Sequence, residues 1–134
     1  MKAVPDPFAY VGTELEVFRG AENWRAYWQG FVRPYLGRRV LEVGAGIGTV
    51  TAGLCDGARD QWLALEPDPA LAAMIVGSLE RGEIIGLCHV LVGKVADLAT
   101  EDLFDSILYI DVLEHIMDHE DSIAPLRICG RAAI

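Results

Sequence analysis

The sequence predicts an α/β fold built on a doubly wound parallel sheet. Three observations carry that expectation. Short apolar runs alternate along the chain with helical stretches, the pattern of strands joined by crossover helices. One run, Val40 to Val43, leads straight into glycines at alternate positions, Gly44, Gly46 and Gly48. The next, Gln61 to Glu66, closes on an acid. A strand, a glycine turn and a helix start make a nucleotide-sized site at the carboxyl edge of a parallel sheet.

The 134 residues suit one domain. A hydrophobic content of 52% fits a buried sheet and argues against disorder. Residues 1–20 read as irregular, broken by Pro5 and Pro7. Residues 21–35 read as an N-terminal helix in which Trp24, Tyr27, Trp28 and Phe31 form one apolar stripe at i, i+3, i+4 and i+7. The stripe is expected to pack on the sheet, the competing reading being that Tyr27 or Trp28 roofs a ligand pocket. Pro34 and Gly37 end that helix.

The sheet core is expected over 38–119. Its first strand is 38–43, and the first crossover helix runs from 48 to 55. Gln61–Glu66 is the second strand. Pro67-Asp68-Pro69 starts the next helix, with Asp68 as its cap, and Ala70 to Leu79 continues it until Arg81-Gly82. Cys88–Val92 is the third strand, with His89 inside it as a structural residue. Gly93 to Thr100 is a loop, and Phe104–Ile110 is the fourth strand. Residues 120–134 form an atypical tail without a clear pattern.

Charge and cysteine usage narrow the function. A net charge of −9 argues against a nucleic-acid partner, which needs a basic face. No apolar run approaches the ~20 residues of a membrane helix, and the first residues lack the apolar core of a signal peptide. Cys55, Cys88 and Cys129 are an odd, scattered set without a C-x-x-C, read as reduced thiols of a cytoplasmic protein. His115, Asp118 and His119 could imitate a metal site, but an acidic surface is the simpler reading, and no metal is expected.

Spacing in the glycine turn discriminates between cofactors. A dinucleotide fingerprint wants G-x-G-x-x-G, which counted from Gly44 requires glycine where Thr49 stands. Here the pattern is E-x-G-x-G-x-G, led by Glu42. Glu66, eighteen residues beyond Gly48, can accept both hydroxyls of a ribose, or else cap the helix that follows. The E-x-G-x-G-x-G pattern resembles motif I of the class I S-adenosylmethionine-dependent methyltransferases of small-molecule type. Asp111-Val112-Leu113-Glu114-His115-Ile116, after the fourth strand, resembles their motif IV region. The likeness spans residues 21–119.

That resemblance implies a Rossmann-like sheet and S-adenosylmethionine as cofactor, with S-adenosylhomocysteine as product. It implies cofactor contacts from Glu42, Gly44, Ala45, Gly46, Gly48, Glu66 and Pro67. The loop after the third strand would lie against the adenine through Val95, Ala96 or Asp97, although Asp97 also reads as a plain solvated acid. Asp111 and Val112 would sit where the methionine moiety meets the substrate. His115 is the acid/base candidate, with Asp111 beside it; its competing role is a structural bond at a helix start. The implied reaction is methyl transfer to a small molecule. The rival is a non-catalytic S-adenosylmethionine-binding or interaction module.

The family's sheet has seven strands in the order 3-2-1-4-5-7-6, and this chain is expected to supply only strands 1–4. It reads as incomplete: a natural fragment, a shortened chain or a shifted reading frame. An apolar fourth strand without its neighbour would recruit another chain, so a homo-oligomer through that strand or the C-terminal segment is expected; the alternative is that residues 120–134 fold back and cover the edge, giving a monomer with weak activity.

Overall fold

The computed structural model describes residues 22–99, 102–110 and 127–128. The helices are α1 Glu22–Val32, α2 Thr49–Leu54 and α3 Pro69–Glu80. The strands are β1 Arg39–Val43, β2 Gln61–Glu66, β3 Cys88–Val92, β4 Leu103–Phe104, β5 Ser106–Tyr109 and β6 Arg127–Ile128. Four of them form one parallel sheet in the order β3-β2-β1-β5. This is the Rossmann-like α/β arrangement with an incomplete sheet. In register, Val40 lies between Trp62 and Ser106, and Val43 between Leu65 and Tyr109.

Successive residues of a strand face opposite sides, which sorts the core into two layers. Val40, Trp62, Ala64 and Leu108 pack with Leu54 and Cys55 at the end of α2, Ile75 of α3, and Trp28 of α1. Leu41, Val43, Leu65 and Ile107 form the other layer with Val95 and Phe104. Both faces of β1 are therefore covered, which is why its sequence is an apolar run rather than an alternation. Burying each such side chain contributes about 1.5–3 kcal/mol.

The aromatic stripe of α1 does not pack as expected. Trp28 reaches the core, whereas Trp24 is 65% exposed and Tyr27 and Phe31 are each 60% exposed. Polar anchors turn the helix this way. Arg33 donates to the Gly53 carbonyl at 2.7 Å and pairs with Asp56, and buried Gln29 fits against Gly53, where a Cβ would collide. The outward rings contact one another instead, with centroids 5.7 Å apart for Trp24–Tyr27 and 4.9 Å for Tyr27–Phe31. The α-helix ends at Val32, just before Pro34, which sits in a 3-10 turn, Arg33–Tyr35, whose Arg33 carbonyl accepts from Arg59.

The fourth strand is divided at Asp105. Its amide donates to the Arg39 carbonyl at 2.8 Å. Its carboxylate accepts from the Arg38 and Arg39 amides at 3.1 and 2.8 Å and from Arg39 Nη2 at 3.0 Å. Ser106 Oγ accepts from the Gly37 amide at 2.9 Å, and Gly37 packs so tightly on Asp105 that a side chain there has no room.

His89 lies within β3, the outer strand, as expected from the sequence, and is exposed. Within the tail, β6 pairs in parallel with β4, Leu103 opposite Arg127 and Phe104 opposite Ile128. A parallel partner from the tail thus begins beside the start of the fourth strand, in the direction of the fold-back alternative. Within the four-stranded sheet β5 remains an end strand among the described residues. No described helix is long and apolar enough to cross a membrane.

Candidate functional site

After Val43 the chain turns through three left-handed positions, Gly44 at φ 69°, Gly46 at φ 60° and Gly48 at φ 86°. A side chain at any of them costs roughly 1–2 kcal/mol in backbone strain. The Gly44 and Ala45 amides both donate to the Leu65 carbonyl, at 2.8 and 3.0 Å, which pins the turn to β2. Gly48 lets the start of α2 approach α3, for a Cβ there would lie 3.1 Å from Ile75 Cγ1. Around Gly46 there is open space within 4 Å of where a Cβ would stand, so the turn is accessible at its middle glycine.

Glu66 closes the turn. The residue is 6% exposed; its Oε2 accepts from the Gly46 amide at 2.7 Å and its Oε1 from the Asp68 amide at 3.0 Å. One carboxylate therefore bridges the glycine turn and the start of α3, where Asp68 caps the helix by accepting from Ala70 at 2.8 Å. Each oxygen keeps a second acceptor position. Pro67 beside it is exposed.

Glu42 is placed differently. It is 3% exposed, and one oxygen, Oε2, accepts from Thr51 Oγ1 at 2.6 Å and Trp62 Nε1 at 3.0 Å. The carboxylate ties β1, α2 and β2 together behind the turn. Burial pushes its pKa up to about 7, against the two hydrogen bonds that favour the charged form.

The loop after β3 starts beside Glu66. Val92 is in register with Glu66, and the Gly93 amide donates to the Glu66 carbonyl at 3.1 Å. Val95–Asp97 then form a 3-10 turn in which Asp97 accepts from the Lys94 amide at 2.7 Å. Val95 is buried and Ala96 exposed. The turns after β1, β2 and β3 so lie side by side along one carboxyl edge. Asp111, Val112 and His115, like Asp118 and His119, lie outside the described residues. A separate cleft of about 500 Å³ opens between α2 and α3, lined by Ile47, Thr49, Ala52, Met74, Gly77 and Arg81; it meets the glycine turn only at Ile47 and Gly48.

This strand, turn, acid and loop sequence can be set against known proteins. Residues 41–128 match the family described as "Methyltransferase domain". The chain belongs to that family. Among solved structures, the methyltransferase domain is similar to coclaurine N-methyltransferase bound to N-methylheliamine and S-adenosylhomocysteine, at TM-score 0.64 and 17% identity over 75% of this chain and 31% of that one. It is similar to the YcgJ protein of Bacillus subtilis, at TM-score 0.63 and 16% identity over 78% of this chain and 44% of the other. It also resembles the methyltransferase domain of bacterial CtHen1-C, at TM-score 0.58 and 14% identity over 76% and 54%. The domain thus spans about half, or less, of the length of these structures. No curated protein sequence matches it.

Sequence reasoning missed two features of the site. Thr51 and Trp62 carry no motif that marks them as partners of Glu42. The contact of Glu66 with Gly46 depends on the packing of β2 against β1, which spacing alone does not reveal.

Proposed function

We propose that the chain binds S-adenosylmethionine and transfers its methyl group to a small-molecule acceptor. The observation that carries this reading is the accessible glycine turn closed by the Glu66 carboxylate. When bound, the cofactor supplies an electrophilic methyl on a sulfonium. Gly44, Ala45, Gly46 and Gly48 would let it approach the backbone, and the free acceptor positions of Glu66 suit the two ribose hydroxyls. Val95, Ala96 and Asp97, and Pro67, are assigned to the adenosine side, Asp111 and Val112 to the methionine side where cofactor meets acceptor, and His115, with Asp111 beside it, to acid/base work on the acceptor. Glu42 acts from behind, holding the turn against α2 and β2. Methyl transfer by in-line displacement needs alignment more than acid/base chemistry, so a site without an evident triad is consistent with it. Coclaurine N-methyltransferase, with its bound S-adenosylhomocysteine, supports the cofactor assignment.

A non-catalytic binding module is the second reading, favoured by the share of related structures that the chain covers, 54% at most among the three compared. Thermal shift with S-adenosylhomocysteine and with NAD tests the cofactor. Methyl-transfer assays over small molecules, peptides and RNA then separate enzyme from binder and fix the acceptor class. Glu66→Ala is expected to weaken S-adenosylhomocysteine binding by about 1–3 kcal/mol, the scale of charged hydrogen bonds. Unchanged calorimetric affinity in that variant removes Glu66 from the ribose.

We further propose a homo-oligomer formed along β5 or the segment that follows it. The support is the end position of β5 in the sheet among the described residues, with Ile107 and Leu108 of that strand apolar. Light scattering at micromolar concentration is expected to give at least twice the chain mass; a monomer whose β5 amides resist hydrogen exchange rejects it.

A further inference from the structure

β3 closes the sheet at the end away from β5, and among the described residues no strand pairs with its outer edge. The Trp62 amide donates to the Leu87 carbonyl at 2.9 Å, and the Gly93 amide to the Glu66 carbonyl at 3.1 Å. Backbone groups alternate in direction along a strand, so Leu87, His89, Leu91 and Gly93 face β2, and Cys88, Val90 and Val92 turn their amides and carbonyls outward. Edge strands ordinarily carry a proline, a charged side chain or a bulge that discourages pairing. Cys88-His89-Val90-Leu91-Val92 has no proline, lysine, arginine or acid. Its surroundings are apolar and exposed, with Ile85 at 83%, Leu87 at 67%, Val92 at 50% and Leu91 at 38%. The stretch 84–96 holds no acid at all, in a chain of net charge −9, and Lys94 is its one lysine or arginine.

We propose that β3 is an interface with a second copy of the chain, the two strands pairing antiparallel about a two-fold axis at Val90 and joining the two sheets into one. A two-fold contact is reciprocal, residue i meeting residue j and j meeting i. Centred on the middle of the strand, it sets Val90 against the partner's Val90 and Cys88 against the partner's Val92. Every outward residue of β3 then meets an outward residue, and each such pair exchanges both amide–carbonyl bonds. His89 meets the partner's Leu91, and Lys94 meets the partner's Gly86, so no like charges stand opposite one another, an arrangement that would destabilise the pair. Charge selects this occupant and this place. Two chains of net charge −9 repel, and the acid-free stretch 84–96 is where their backbones can meet. A foreign extended peptide would gain the same backbone bonds, but the edge offers it no charge to recognise. The contact lies at the opposite end of the sheet from β5, so it is independent of the oligomer proposed there and of the cofactor.

The test follows the full chain over a range of micromolar concentrations, with mass read by sedimentation velocity and backbone protection by hydrogen exchange. The His89, Leu91 and Gly93 amides, held by β2, are expected to resist exchange at every concentration. The Cys88, Val90 and Val92 amides are expected to gain protection as concentration rises. Val90→Pro removes an outward amide and leaves the bonds to β2 in place, a substitution that an edge strand tolerates. Its mass is expected to fall to half that of the wild type or less, with the circular dichroism unchanged. Leu91→Lys sets two lysines diagonally across the axis and is expected to give the same fall without altering the backbone. An oligomer that survives both substitutions intact belongs to β5 and overturns the proposal. So do Cys88, Val90 and Val92 amides that exchange freely at every concentration, a readout that needs no variant to fold.

Discussion

Glu42→Gln is expected to stabilise the fold at about pH 8 and to leave it nearly unchanged at about pH 4. The carboxyl lies in a buried cluster with Thr51 and Trp62, and burial raises its pKa to about 7, from 4.5 for the free group. The folded state then binds a proton that the unfolded state has released between these values. Stability is therefore full below the unfolded pKa and is lost as pH rises through the folded one. The shift corresponds to at most about 3 kcal/mol. Glutamine keeps an acceptor for the Thr51 hydroxyl and the Trp62 indole but carries no charge, so its advantage should grow over this window and level off above neutrality. Glu42→Ala is the contrast: it strands both donors in the core and should cost about 1–3 kcal/mol. Denaturant unfolding at acidic, neutral and basic pH reads both effects. A Glu42→Gln offset that does not change with pH shows that Glu42 is not held near neutrality.

The parts of the fold that were legible in the sequence are those set by local rules. β2 and β3 have the expected bounds, because each is an apolar run flanked by turn residues. Asp68 and Pro69 announced the start of α3, and the helix is built on that cap. The glycine turn was legible because three left-handed positions at alternate residues leave little choice but glycine.

What was not legible depends on contacts between distant residues. The outward turn of Trp24, Tyr27 and Phe31 follows from Arg33 and Gln29 meeting α2, and helical periodicity cannot see which face a polar anchor selects. Asp105 looked like one more residue of a strand. β6 is two residues long, too short to carry an alternation. In the site, Glu66 read correctly as the acid ending β2, but its bond to Gly46 did not follow from its position. Asp111 and His115 rest on the motif alone, because they lie outside the described residues.

Asp105→Ala is expected to destabilise the fold by about 2–3 kcal/mol, among the larger single-residue effects expected. The carboxylate accepts from two backbone amides and the guanidinium at the start of β1, and so joins the first and fourth strands where the sheet begins. Alanine leaves those amides without their partner in a part-buried place and frees Arg39 from its ion pair. Asp105→Asn separates the two losses. Its side-chain oxygen can still accept from the amides, so the cost should fall to about 1 kcal/mol, the remainder being the charge. The acid limb of the pH profile checks this division. The hydrogen bond from Arg39 holds the Asp105 carboxyl below its ordinary value of 3.8. That stabilisation is present above the unfolded pKa and disappears as pH falls through the lower folded one. Wild type should accordingly lose stability more steeply than Asp105→Asn below about pH 4. Parallel acid profiles would mean that the ion pair contributes nothing and that the backbone hydrogen bonds alone hold β1 to β5.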